Sequence, residues 1–124
     1  MILVDTSVWI DHLRSGDAAL ETLLEERGVL GHPFVIGEIA LGRLRDRDQV
    51  LHALLLLPST TVASESEVLH LITSNALYGL DIGYVDAHLL AAVRLTPGAR
   101  LWTRDRRLAD VAHDLGLSPT QSLN

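Results

Sequence analysis

Short β-prone runs alternate with helical stretches along this chain, and that alternation limits the fold more than any other feature. Met1-Ile2-Leu3-Val4 is apolar throughout and reads as a buried strand. Val29-Leu30-Gly31, residues 59–63 and residues 100–103 read as further short strands, and a last one is expected near residues 117–118. Helical punctuation fills the intervals. Thr6 or Ser7 can cap a helix through residues 8–14 that stops near Gly16. Asp17 can cap a second, with Leu20, Leu23 and Leu24 at core spacing and Gly28 at its end. Pro33 suits the first turn of a helix over residues 34–44. Arg45-Asp46-Arg47-Asp48 is a charged break before a helix that ends ahead of Pro58. Ser64 and Glu67 make a capping box for a helix to about Tyr78. Asp81-Ile82-Gly83 is a turn, residues 84–95 form a helix closed by Pro97-Gly98, and residues 106–115 form the last. Such alternation predicts a single α/β domain over residues 1–124, with a mostly parallel sheet covered on both faces.

At 124 residues the chain can bury roughly two-thirds of its unfolded surface, enough for a core without staples. It has no cysteine, which excludes disulfides, thiolate catalysis and cysteine-based zinc sites. No basic segment precedes an apolar one at the N-terminus. The longest apolar run, residues 53–57, is far short of the roughly 20 residues that span a bilayer, so a cytoplasmic protein is expected. The Leu54–Leu57 stretch reads as core or as a contact between copies. The net charge of -6 is unusual for a nucleic-acid partner, since phosphates favour basic surfaces. Every basic residue is arginine, the better bidentate phosphate ligand, and bound divalent ions would cancel acidic charge locally.

Four acidic residues stand where a core-building chain has no use for them. Asp5 ends the first apolar run and Asp105 closes Leu101-Trp102-Thr103-Arg104. In an open α/β sheet, sites form beyond the carboxyl ends of the strands, so both are candidates for one crevice. Each alone could equally be a helix cap or turn residue. Glu38 falls on a helical face with Phe34, Val35 and Leu41, and Asp86 has Leu89 and Leu90 one turn on. A carboxylate among apolar neighbours needs a metal or a buried arginine partner. Taken jointly, four clustered carboxylates repel, and hard ions such as Mg²⁺ or Mn²⁺ relieve that repulsion through oxygen ligands. Such ions can activate water and stabilise charge on a phosphate. Thr6 and Thr103 would sit at the crevice mouth, and Arg104, Arg106 and Arg107 could hold a nucleic-acid backbone or simply be solvated. The histidines show no HExxH spacing, and no GxSxG, Walker A or GxGxxG motif is present.

Met1-Ile2-Leu3-Val4-Asp5-Thr6-Ser7-Val8-Trp9-Ile10 closely resembles the opening of PIN-domain proteins of the VapC toxin type. Val35-Ile36-Gly37-Glu38-Ile39 matches the second acidic position of that family, and Tyr84-Val85-Asp86-Ala87-His88-Leu89-Leu90-Ala91-Ala92 the third. Leu101-Trp102-Thr103-Arg104-Asp105-Arg106-Arg107-Leu108 matches the fourth. The resemblance implies an α/β/α sandwich around a parallel sheet and Mg²⁺- or Mn²⁺-dependent endoribonuclease activity. It also implies homodimers and a VapB-like antitoxin whose tail covers the acidic groove. By carry-over Asp5, Asp86 and Asp105 would hold metal, and Glu38 would complete the site as ligand or through water. Asp110 is an accessory candidate, but a solvent-facing role is expected for it.

Two rival functions fit parts of this pattern. One is a non-catalytic module whose acidic groove receives a basic peptide. The other is a phosphohydrolase with an aspartyl nucleophile at Asp5. Such enzymes usually carry a second aspartate two residues on, where this chain has Ser7.

Overall fold

The computed structural model describes residues 1–123. Its sheet has three parallel strands in the order β2-β1-β3, with β1 at Ile2–Val4, β2 at Val29–Leu30 and β3 at Arg100–Trp102. The helices are α1 (Thr6–Ser15), α2 (Ala18–Glu25), α3 (Pro33–Ala40), α4 (Arg47–Leu55), α5 (Glu65–Ser74), α6 (Tyr84–Leu95) and α7 (Arg106–Asp114). β1 is central: Leu3 lies between Leu30 and Leu101, and Val4 pairs with Trp102. Successive strand side chains point to opposite faces, yet Leu3 and Val4 are both 0% exposed. Both faces of the sheet are therefore covered, which is why this strand carries no polar alternation. The result is an α/β sandwich, as the alternation of elements predicts.

Several local expectations change. Residues 59–63 form no strand; Ser59 makes a single bridge to Gly31. Residues 117–118 form none either. Leu117 accepts one backbone hydrogen bond from Leu101 at 2.8 Å, and Pro119, with no N–H, cannot extend the ladder. α3 stops at Ala40 rather than 44, because Gly42 is a poor helix former and Leu41, 90% exposed, adds no burial. Arg47 Nη2 donates to the freed Ala40 carbonyl at 3.0 Å. α5 keeps its Ser64–Glu67 capping box but ends at Ser74, since Ala76 takes a left-handed φ of 52°. Of the 54–57 leucines only Leu54 is buried, while Leu55 and Leu56 face outward. None of the helices is long and apolar enough to cross a membrane, among the described residues.

One arginine, on the turn after β3, ties α1 to the start of α2. The Arg104 guanidinium donates to Asp11 Oδ2 at 2.7 Å and also pairs with Asp17, and it lies 5.5 Å over the Trp102 ring. Its backbone N–H donates to Ser7 Oγ at 3.0 Å. Asp17 in turn caps α2 by accepting from Leu20 N–H at 2.9 Å. The Arg104 hydrogen bond holds the Asp17 carboxyl below its ordinary pKa, and the same contact raises that of the guanidinium. A lysine cannot fork to both carboxylates. Arg104→Lys is expected to cost about 1–2 kcal/mol, a value set between an exposed and a buried ion pair. Chemical denaturation checks this; unchanged stability with weaker RNA binding would return Arg104 to a role at phosphate.

Candidate active site

Three parallel strands end on one edge, and the acidic residues are delivered to that edge by different routes. β1 runs directly into Asp5, Thr6 and Ser7, and the ladder continues one step because Asp5 N–H donates to Trp102 O at 2.9 Å. β3 runs into Thr103, Arg104 and Asp105 on the neighbouring strand. The residues after β2 lead into α3, which carries Glu38. α6 packs on β3, and a four-residue connection joins its last turn to the start of that strand. Its first turn, with Asp86, therefore lies at the carboxyl edge of the sheet.

Hydrogen bonds fix one side of each carboxylate. Asp5 sits at the N-cap position of α1 but makes no cap bond. Its Oδ2 instead accepts from Thr103 Oγ1 at 2.7 Å and from Ser7 Oγ at 3.0 Å. The expectation that Thr6 or Ser7 caps α1 is thereby corrected, for both hydroxyls turn to acidic groups. Thr6 Oγ1 donates to Glu38 Oε1 at 2.7 Å. Asp86 Oδ2 accepts from Gly83 N–H at 3.0 Å. Asp105 Oδ1 accepts from the N–H groups of Arg107 and Leu108 at 3.0 and 3.2 Å, so it does cap α7. The second oxygen of each aspartate accepts no hydrogen bond among the described residues.

Asp86 reports that the four charges share a field. Burial raises its pKa above the ordinary carboxylate value, opposed by the Gly83 N–H, and the charges of Asp5, Asp105 and Glu38 raise it further. No ion pair joins any of these four to an arginine among the described residues, so the buried-arginine alternative has no partner there. The uncompensated donors are all carboxylate and hydroxyl oxygens, the set that suits a hard divalent cation and not a soft one. Among the described residues no three His, Asp or Glu side chains yet surround a common point. The fit to a metal thus rests on donor chemistry and shared charge.

The structure brings Asp5, Thr6, Glu38, Asp86, Thr103 and Asp105 to one edge, but not all for the reasons the sequence suggests. Glu38 is exposed rather than buried among Phe34, Val35 and Leu41. Arg104 turns to Asp11 and Asp17, away from the role at phosphate expected of it. Asp110 is exposed. Ser7, read from sequence only as a helix cap, is the residue whose place in the site sequence reasoning missed. It contacts Asp5, stands 3.4 Å from Thr103 Oγ1 and accepts from Arg104 N–H. Its only signal was position, directly after the strand-ending aspartate.

The model of the PIN domain family matches residues 2–114 of this chain. Two curated proteins of Mycobacterium tuberculosis, from strains CDC 1551 / Oshkosh and ATCC 25618 / H37Rv, are similar over their whole length. Each is named Ribonuclease VapC32 and is 47% identical over 124 residues, covering 100% of both chains.

Proposed function

The chain belongs to the PIN domain family, and from that premise we propose that it is the toxin of a VapBC-type pair, an endoribonuclease restrained by a VapB-like antitoxin. The observation that carries this reading is the common field of Asp5, Glu38, Asp86 and Asp105 at one sheet edge without a cationic partner among the described residues. Asp5, Asp86 and Asp105 would hold Mg²⁺ or Mn²⁺, with Glu38 completing the acidic set. A bound ion of that kind supplies Lewis-acid stabilisation of phosphate charge and lowers the pKa of water.

The rest is the work of the chain. The Ser7 and Thr103 hydroxyls fix the Asp5 carboxylate, and Thr6 fixes Glu38. The N-terminus of α7 holds one oxygen of Asp105 through the Arg107 and Leu108 N–H groups. Arg106 and Arg107 lie on the first turn of the same helix. Arg107 meets Asp81 at 3.6 Å, and both are exposed, a weak pairing that leaves its guanidinium available to an RNA backbone. A homodimer and a cytoplasmic site of action belong to the same reading, with Leu41, Leu55 and Leu56 as exposed apolar surface for a protein partner.

End-labelled bacterial RNA tests it. The purified protein is expected to give discrete products with Mn²⁺ or Mg²⁺ and none with EDTA, and Asp5→Asn to give none. Metal-independent products, or products that persist in Asp5→Asn, would overturn the assignment. A folded, antitoxin-free protein that cleaves nothing would favour the acidic groove as a binding site for a basic peptide.

A further inference from the structure

The chain has two tryptophans, one phenylalanine and two tyrosines. Both tryptophans are buried, whereas Tyr78 is 69% and Tyr84 51% exposed. The two tyrosines line one recess of about 230 Å³ together with Leu80, Asp81, Gly83 and Ala87. That is roughly eight water volumes, the size class of one nucleobase. A larger recess of about 460 Å³ between α5 and α6 has none of the four acidic residues in its lining.

The tyrosine recess joins the acidic site at two points. Gly83, in its wall, donates its N–H to Asp86. Asp81, also in its wall, pairs with Arg107 on the helix that Asp105 caps. Tyr84 is held as well as exposed. Its ring stands edge-on to His88 at 4.7 Å, and His88 meets Phe34, on the helix of Glu38, at 4.8 Å.

Charge alone gives this protein little hold on RNA. Its net charge is -6, and Arg104 is turned to two aspartates. Unpaired bases splay out and stack on aromatic faces, and one such contact is worth roughly 5- to 100-fold in affinity, whatever the base.

We propose that Tyr84, with Tyr78 beside it, receives an unpaired base of the RNA next to the phosphate at the acidic site. A single-stranded segment is then gripped by stacking more than by charge. This inference rests on the nuclease reading above.

The test is fluorescence anisotropy of a fluorescein-labelled oligoadenylate, and of an abasic ribose-phosphate chain of equal length, in EDTA at low salt. Tyr84→Leu keeps an apolar contact with His88 but has no π-face. It is expected to bind oligoadenylate roughly 5- to 100-fold more weakly than wild type. Tyr84→Phe should stay within about twofold, since a ring remains. All three should bind the abasic chain alike, and the salt dependence on oligoadenylate should be unchanged, because no phosphate contact is lost. Tyr78→Leu should shift oligoadenylate binding in the same direction. Equal oligoadenylate affinity for wild type and Tyr84→Leu, or equal weakening on the abasic chain, would overturn the inference and leave the nuclease reading standing. A wild type that cleaves RNA yet does not bind oligoadenylate would overturn the inference alone, and one that does neither would overturn both.

Discussion

Asp86→Asn is expected to lower RNA cleavage by at least about 100-fold, since even residues that only support metal ligands cost 10- to 100-fold. The same change is expected to stabilise the metal-free protein. Burial and the charges of Asp5, Asp105 and Glu38 push the Asp86 pKa up, so at neutral pH its charged form is held against a penalty. Asparagine keeps an oxygen for the Gly83 N–H and replaces the other, charged oxygen with a neutral amide nitrogen. The gain is on the order of 1 kcal/mol, the scale of like charges at a few ångströms in a solvated setting. By linkage, wild type should close this gap as pH falls and Asp86 takes up a proton. Melting with and without Mn²⁺ separates the effects: on the proposed reading wild type should gain stability from the ion, and the variant should gain less. Asp5→Asn should lose cleavage equally and should also relieve part of the repulsion on Asp86 in the metal-free protein, while its oxygen still accepts from Ser7 and Thr103. A loss of several kcal/mol in metal-free Asp86→Asn would mean that the carboxylate is a structural partner, and would sink the metal reading.

These carboxylates were legible in the sequence one at a time, and as a group through the two strand ends and the family resemblance, but their hydrogen-bond partners were not. β1 announces itself because a strand bonded on both edges and covered on both faces must be apolar at every position. Asp5 stands out by ending that run. Asp105 was open between a helix cap and a site residue; the structure shows the cap, made by one oxygen, and the other oxygen accepts no hydrogen bond among the described residues. Glu38 was singled out through an argument from burial that fails, for it is exposed and bonded to Thr6 across 32 residues. Such partners are tertiary, and no local pattern encodes them. Arg104 shows the same limit. Its motif suggests phosphate, while its partners Asp11 and Asp17 lie 93 and 87 residues away in sequence. Helix ends were misjudged where tertiary support runs out, as at Leu41, and not where capping chemistry was present, as at Ser64.

Between pH 6.5 and about 4 the protein should lose about 3 kcal/mol of stability through His32 alone. His32 is 0% exposed, and its Nδ1 accepts from Phe34 N–H at 3.0 Å, which places its proton on Nε2. Among the described residues Nε2 has no hydrogen-bond partner, and a second proton would have to sit on Nδ1 against the Phe34 N–H, so nothing offsets the charge it brings. Burial first, and His88 second, lower its pKa from 6.5 to about 4. The unfolded chain therefore binds the proton first as pH falls. The stability from the neutral ring is complete above pH 6.5, declines through the window, and levels off below about 4. Each pKa unit is worth about 1.4 kcal/mol, which sets the size of the loss. His32→Asn preserves an oxygen for the Phe34 N–H and cannot titrate. It starts less stable at neutral pH because the site loses ring volume, and its deficit against wild type should shrink by about 3 kcal/mol on acidification. Urea unfolding of both proteins across this range gives a difference curve to which the shared carboxylates contribute equally. A flat difference would mean that His32 finds a partner for its proton in the folded state, and a deficit that widens toward low pH would reverse the sign of the argument.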